Sequence, residues 1–178
     1  MMKILTSILA ITIMNSVLLA EEPKMEKAEE IMIEKNPESF EYTTYISADS
    51  KKVWEYIVTP KHVNSYFMCP MSKIDLKKGG DIIYADGLIS GKITKIEEGV
   101  SLKHTFKFAH HKEEKESSVE YILKPIGEVT MLTIIHDGFG DESKSYHDIV
   151  GGWPVIMSQL KTFMETGKKI PWPKPDKQ

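Results

Sequence analysis

Two hydrophobic rhythms alternate along this chain, and the places where they switch mark its elements. "SFEYTTYIS" (39–47) sets Phe40, Tyr42 and Thr44 against Glu41, Thr43 and Tyr45. This period of two, rich in aromatic and β-branched residues, predicts a strand. "ADSKKVWEYIV" breaks the alternation, because Val53, Trp54 and Ile57 share one helical face. Asp49 or Ser50 can cap that short helix by accepting an amide proton of its first turn. "TPKHVNSYF" then restarts a helix, with Thr59 as cap and Pro60 at the first helical position.

From Gly79 onward the rhythm of two returns. "GGDIIYADG", "LISGKITKIEEG", "VSLKHTFKFA", "SSVEYILKPIG" and "EVTMLTIIHDGF" read as strands separated by turn signals. Ala85-Asp86-Gly87 and Glu97-Glu98-Gly99 fit tight turns, and Pro125-Ile126-Gly127-Glu128 fits a hairpin loop. A spacing of about ten residues per strand predicts an antiparallel meander. Side chains alternate faces strictly along a strand, so three sets point together toward whatever covers the sheet. These are Leu102, His104, Phe106 and Phe108; Val119, Tyr121 and Leu123; and Thr130, Leu132, Ile134 and His136.

The cover is the last apolar segment. Tyr146, Ile149, Val150, Trp153, Ile156, Met157, Leu160, Phe163 and Met164 step by three and four, as one face of a helix does. Pro154 is best tolerated in a helix's first turn, so the spacing predicts a firm helix over 153–166. Residues 143–150 are expected to form a looser turn or a kinked extension ahead of it. Gly167 suits the left-handed stop, Lys168 and Lys169 favour the negative helix end, and Pro171 prevents resumption. The result is an α+β domain: a curved antiparallel sheet of six or seven strands, a long C-terminal helix on one face, and two short helices after the first strand.

Composition changes the picture at the N-terminus. "MMKILTSILAITIMNSVLLA" has Lys3, an apolar run from Ile4 and a small residue, Ala20, before "EEPK". That is the layout of a secretory signal peptide over 1–20. The run is diluted by Thr6, Ser7, Thr12, Asn15 and Ser16 and is marginal as a span, so no stable membrane span is expected after processing. The expected location is periplasmic or secreted, with an uncleaved membrane anchor as the alternative. Residues 21–37 are charged and read as a tether, 38–170 as the domain, and 171–178 as a polar tail. The single cysteine, Cys69, excludes an internal disulfide and reads as a small, partly buried hydrophobe. The formal charge is −3, with no basic stripe interleaved with aromatics, which argues against nucleic acid as a partner.

The order of these pieces resembles the START-like (SRPBCC) superfamily, in particular its branch of homologues of the heat-shock chaperone ATPase activator. The resemblance is carried by "YISADSKKVWEYIVTPKHVNSYF", "LKHTFKF", "TMLTIIHDGFG" and "GGWPVIMSQLKTFMETG" and extends from Phe40 to Gly167. It implies the helix-grip fold, in which the sheet curves around the last helix. It does not imply one function, because such a fold hosts unrelated activities in the same pocket. Two features depart from that branch. The chain has the layout of an export signal, and position 106 is Phe where many relatives have Trp, which is expected to reshape the cavity.

Candidate chemistry is sparse. His110 and His111 lie in the polar turn "HHKEEKESS" and read as a solvated hairpin tip. No His-x-x-x-His or paired-cysteine spacing supports a metal, and no motif requires a cofactor. His104 and His136 point inward: either neutral core histidines satisfied by a neighbour, or polar handles in an apolar ligand cavity. The candidate ligand-binding set is Tyr66, His104, Phe106, Tyr121, Leu132, His136, Trp153 and Met157. No arrangement of nucleophile, base and orienting group is visible, so no catalytic residue is assigned. The leading expectation is an exported, monomeric binder of a small hydrophobic or amphipathic ligand. An enzyme of cyclase or hydrolase type using the same cavity, and a protein-interaction or chaperone-cofactor module, are the alternatives.

Overall fold

A computed structural model describes residues 39–140 and 143–171. The expected signal peptide, the tether and nearly all of the polar tail lie outside the described residues. Seven strands form one antiparallel sheet: β1 (Ser39–Ile46), β2 (Met71–Ile74), β3 (Asp81–Tyr84), β4 (Ile89–Glu97), β5 (Ser101–Phe108), β6 (Ser117–Ile126) and β7 (Val129–Asp137). Their order across the sheet is β1-β7-β6-β5-β4-β3-β2. The first strand closes on the last, and all the others follow as hairpins. Two short helices, α1 (Ser50–Val58) and α2 (Pro60–Tyr66), follow β1, and α3 (Lys144–Thr166) covers the sheet. Seven strands, two short helices and one long helix make the helix-grip arrangement.

Local chemistry explains most of the boundaries. Asp49 Oδ1 accepts the Lys52 amide at 2.8 Å and starts α1. Thr59 occupies the cap position of α2 through its backbone; its carbonyl takes the His62 and Val63 amides while its hydroxyl makes no capping bond. Gly167 ends α3 in the left-handed conformation, φ 72°, which costs glycine nothing. Gly91 is needed for another reason: a Cβ there would lie 1.8 Å from the Thr105 carbonyl oxygen of β5. The short β2, with two of its four residues exposed, has too little alternation to register as a strand in sequence.

The inward parity sets form the core. Leu102, Val119, Leu132 and Ile134 are fully buried from the sheet side, and Trp153, Met157 and Leu160 meet them from α3. Two expectations need correcting. Helix α3 begins at Lys144 rather than near Trp153, so Pro154 lies inside it. The extension exists because Ser143 Oγ accepts the Tyr146 amide and Glu114, from the β5–β6 hairpin, accepts the Lys144 and Ser145 amides. These bonds satisfy helix-end donors that otherwise have no partner. Val150, placed on the apolar face by spacing, is 38% exposed.

Candidate functional site

Between the sheet and α3 lies a cavity of about 150 Å³. Phe106 and Phe108 of β5 face it because strand parity turns both inward. Ile149, Gly152, Trp153 and Ile156 line it from α3, one helical face apart by three and four. Phe67, Met68 and Cys69, immediately after α2, and Ile89 at the start of β4 complete the wall. Asp148 is the single charged side chain among these residues, and it is exposed. Burial raises the Cys69 thiol, which stays protonated and behaves as an apolar wall group.

Behind Trp153 runs a hydrogen-bond chain whose direction is fixed by chemistry. The indole Nε1 of Trp153 lies 3.0 Å from His136 Nδ1, and an indole nitrogen only donates. His136 Nδ1 is therefore the acceptor, and its Nε2 carries the proton. That Nε2 donates to Ser117 Oγ at 2.8 Å, and Ser117 Oγ donates to the Phe106 carbonyl at 3.2 Å. A second proton on His136 would face the indole N–H. Burial, and then the neighbouring His104, push the His136 pKa down to about 3.

His104 sits deeper, stacked near Tyr121 with ring centroids 6.1 Å apart. Its Nδ1 lies 2.7 Å from the Thr105 carbonyl oxygen and donates to it. Its Nε2 is then an acceptor, and it is buried without a partner. Burial holds the His104 pKa down at about 4. Tyr66, Tyr84 and Tyr121 are all buried near one another. Burial raises all three phenols, with Tyr121 adding to the effect on Tyr66 and Tyr84, so they remain protonated donors.

Of the eight sequence-predicted residues, Phe106 and Trp153 line the cavity. His136 and Tyr121 stand directly behind Trp153, with Tyr121 edge-on at 6.0 Å. Leu132 and Met157 are buried core residues, and Tyr66 and His104 belong to the deeper polar group. Sequence reasoning missed residues 67–69, Ile89, Phe108, Ile149, Gly152 and Ile156 as wall residues, and Asp148 at the exposed edge. Gly152 left one trace, as the gap beside Trp153 in an otherwise apolar helix face.

A curved antiparallel sheet gripping a long C-terminal helix, with an apolar cavity between them, defines a START-like domain. The chain belongs to the family described as "Activator of Hsp90 ATPase homolog 1-like protein", which matches residues 47–165. Solved structures share the fold. CalU16 from Micromonospora echinospora aligns with a TM-score of 0.62 at 23% identity, over 72% of this chain and 77% of that one. An HSP90 activator from Plasmodium falciparum aligns with a TM-score of 0.64 at 18% identity, covering 71% and 96%. The Aha1 dimer from Colwellia psychrerythraea aligns with a TM-score of 0.62 at 16% identity, covering 73% and 98%. No curated protein matches the sequence. Among the described residues, no helix is long and apolar enough to cross a membrane. The family's fold supports a ligand-binding or cofactor-type domain.

Proposed function

We propose that this domain binds a small hydrophobic or amphipathic molecule in the cavity between the sheet and α3, and that the chain works outside the cytosol. The observation that carries the binding reading is the cavity wall itself: aromatic and aliphatic side chains throughout, with one carboxylate at an exposed edge. Apolar walls with few polar groups are the usual composition of a small-molecule site. Size narrows the occupant. An apolar space of about 150 Å³ is on the scale that holds one benzene-sized group. The buried part of the ligand is therefore a single ring or a short acyl segment, with any polar end toward Asp148.

Catalysis is the weaker reading because most polar groups behind the wall engage one another, and His104, whose Nε2 has no partner, does not line the cavity. Both nitrogens of His136 are occupied, by Trp153 and Ser117, and His104 Nδ1 is held by Thr105. Native mass spectrometry of protein purified from its own source tests the reading. A non-covalent apolar adduct is expected, and the same compound added back raises the melting temperature. A chain free of adducts, with no thermal response to single-ring or short acyl compounds, overturns it.

The family match favours a second reading, a module acting on a chaperone ATPase. That reading requires a change in the turnover of a purified Hsp90-class ATPase on addition of this protein; ligand binding does not. Export rests on Lys3, the apolar run 4–20 and Ala20. N-terminal sequencing should find a chain beginning near Glu21, and an intact Met1 on cytosolic protein refutes it.

A further inference from the structure

The β5–β6 hairpin and the first turns of α3 meet at the edge of the cavity through three side chains of the types that ligate metals, His110, His111 and Asp148. His111 Nε2 lies 2.9 Å from Asp148 Oδ2, and His110 Nε2 lies 3.4 Å from the same oxygen. The three donor atoms fall within 4.8 Å of one another. Ligands held about 2.0–2.2 Å from a tetrahedral zinc ion are themselves about 3.3 Å apart. The two histidine–aspartate separations bracket that value and all three donor atoms lie within 4.8 Å, so side-chain adjustments suffice to admit an ion.

We propose that His110, His111 and Asp148 bind one divalent transition-metal ion of the zinc class, through the two imidazole Nε2 atoms and a carboxylate oxygen. Two nitrogens and one oxygen suit Zn²⁺ or Co²⁺, whereas Mg²⁺ and Ca²⁺ take all-oxygen sites. Three protein ligands leave a coordination position open, the layout of a reactive or ligand-accepting site rather than a closed structural one. The site is also braced. Glu114, on the hairpin that carries both histidines, holds the Lys144 and Ser145 amides of the helix that carries Asp148. Both imidazoles lie against Phe108, at 5.0 and 5.8 Å between ring centroids, and Phe108 and Asp148 both line the cavity. The open position is thus within reach of an oxygen donor on the polar end of a bound amphiphile. That last step rests on the cavity reading; metal binding does not.

The test uses full-length chain without a polyhistidine tag, stripped of metal and titrated with Co²⁺ by visible absorption and with Zn²⁺ by calorimetry. One ion per chain is expected, with the d–d bands of a low-symmetry Co²⁺ site. His111→Ala and Asp148→Asn should each weaken binding about tenfold or more, because even outer-shell changes cost 10–100-fold. His147→Gln, at an exposed neighbouring position, should leave it unchanged. Circular dichroism establishes that each variant folds, and His110→Ala, at an exposed position, replaces His111→Ala if the latter does not. Absence of saturable binding, or one-to-one binding that survives both substitutions, overturns the proposal and leaves the cluster as a hydrogen-bonded tie between hairpin and helix.

Discussion

Gly152 lies on the cavity face of α3, and a Cβ built on it would meet no atom within 4 Å beyond its chain neighbours and the backbone of its own helix turns. Its backbone is helical, so a side chain introduces no backbone strain. Gly152→Leu should therefore stabilise the protein and close the site at once. Removing a glycine from a helix interior contributes about 0.8–1 kcal/mol. Burying a leucine side chain contributes about 1.5–3 kcal/mol when complete, and fixing its rotamer costs about 0.5–1 kcal/mol. The cavity reaches the surface beside Met68 and Asp148, so burial is incomplete and the net gain is about 1–3 kcal/mol. For a chain of this length each kcal/mol moves the melting temperature by about 2–4 °C. Thermal melts with and without ligand read both effects. A ligand at a hundred times its Kd should stabilise the wild type by about 2.7 kcal/mol and Gly152→Leu by nothing. Gly152→Ala gains the helix contribution but leaves most of the space, so it should keep the ligand response. Gly151→Ala, at an exposed position, reports the helix contribution alone. The reasoning fails if Gly152→Leu is about 1 kcal/mol or more less stable than wild type. It fails equally if a folded Gly152→Leu variant melts higher with ligand to the same extent as wild type.

Two further outcomes follow from the buried and capping groups. His104 and His136 resist protonation in the fold, at about 4 and about 3 against 6.5 when unfolded, so each takes up a proton on unfolding below pH 6.5. Stability is complete above pH 6.5 and should fall by about 1.4 kcal/mol per pH unit for each histidine as pH drops toward 4. Urea titrations across this range should show that slope, and His136→Gln should remove about half of it; an unchanged slope contradicts the assignment. At Glu114, desolvation works against the charged form, but hydrogen bonds from Ser145, Lys144 and Ser143 outweigh it and hold the pKa at about 2. Because this folded pKa lies below the unfolded value of 4.5, the contribution is present above pH 4.5 and is lost as pH falls through 2. Water still reaches the carboxylate, so Glu114→Gln should cost about 1 kcal/mol at pH 7, at the low end for a helix cap. The difference from wild type should vanish near pH 2, and a difference that persists there would mean the carboxylate is not the cap.

The fold was legible wherever residues report on their own neighbours. Parity alone places Leu102, His104, Phe106, Val119, Tyr121, Leu132 and His136 on the covered face, and all are buried. Helical spacing likewise finds Trp153, Met157 and Leu160. What was not legible depends on partners distant in the chain. The start of α3 at Lys144 owes its stability to Glu114, thirty residues earlier, and spacing around Pro154 carries no record of it. Asp148 meets His110 and His111 across 38 and 37 positions for the same reason. The cavity wall at 67–69 follows a helix and belongs to no periodic stretch. Parity could show that His136 points inward, but not that Trp153 and Ser117 would occupy both of its nitrogens.

Pro154 has no amide proton to give the Val150 carbonyl, so one rung of the α3 ladder is missing beside the cavity. The hydrogen-bond ladder is thereby interrupted between the turns before and after Pro154. The part after Pro154 is anchored through Met157 and Leu160 in the core. The part before it is held by Ser143, Glu114 and the Asp148 contacts and by the buried side chains of Ile149 and Trp153. Fraying of the turns from Lys144 to Ile149 costs less than global unfolding, because Trp153, Met157 and Leu160 keep their places in the core. Such an opening carries Ile149 away from Phe106 and Phe108. The roof over the cavity is thus least firmly held where it meets the open edge beside Met68 and Asp148.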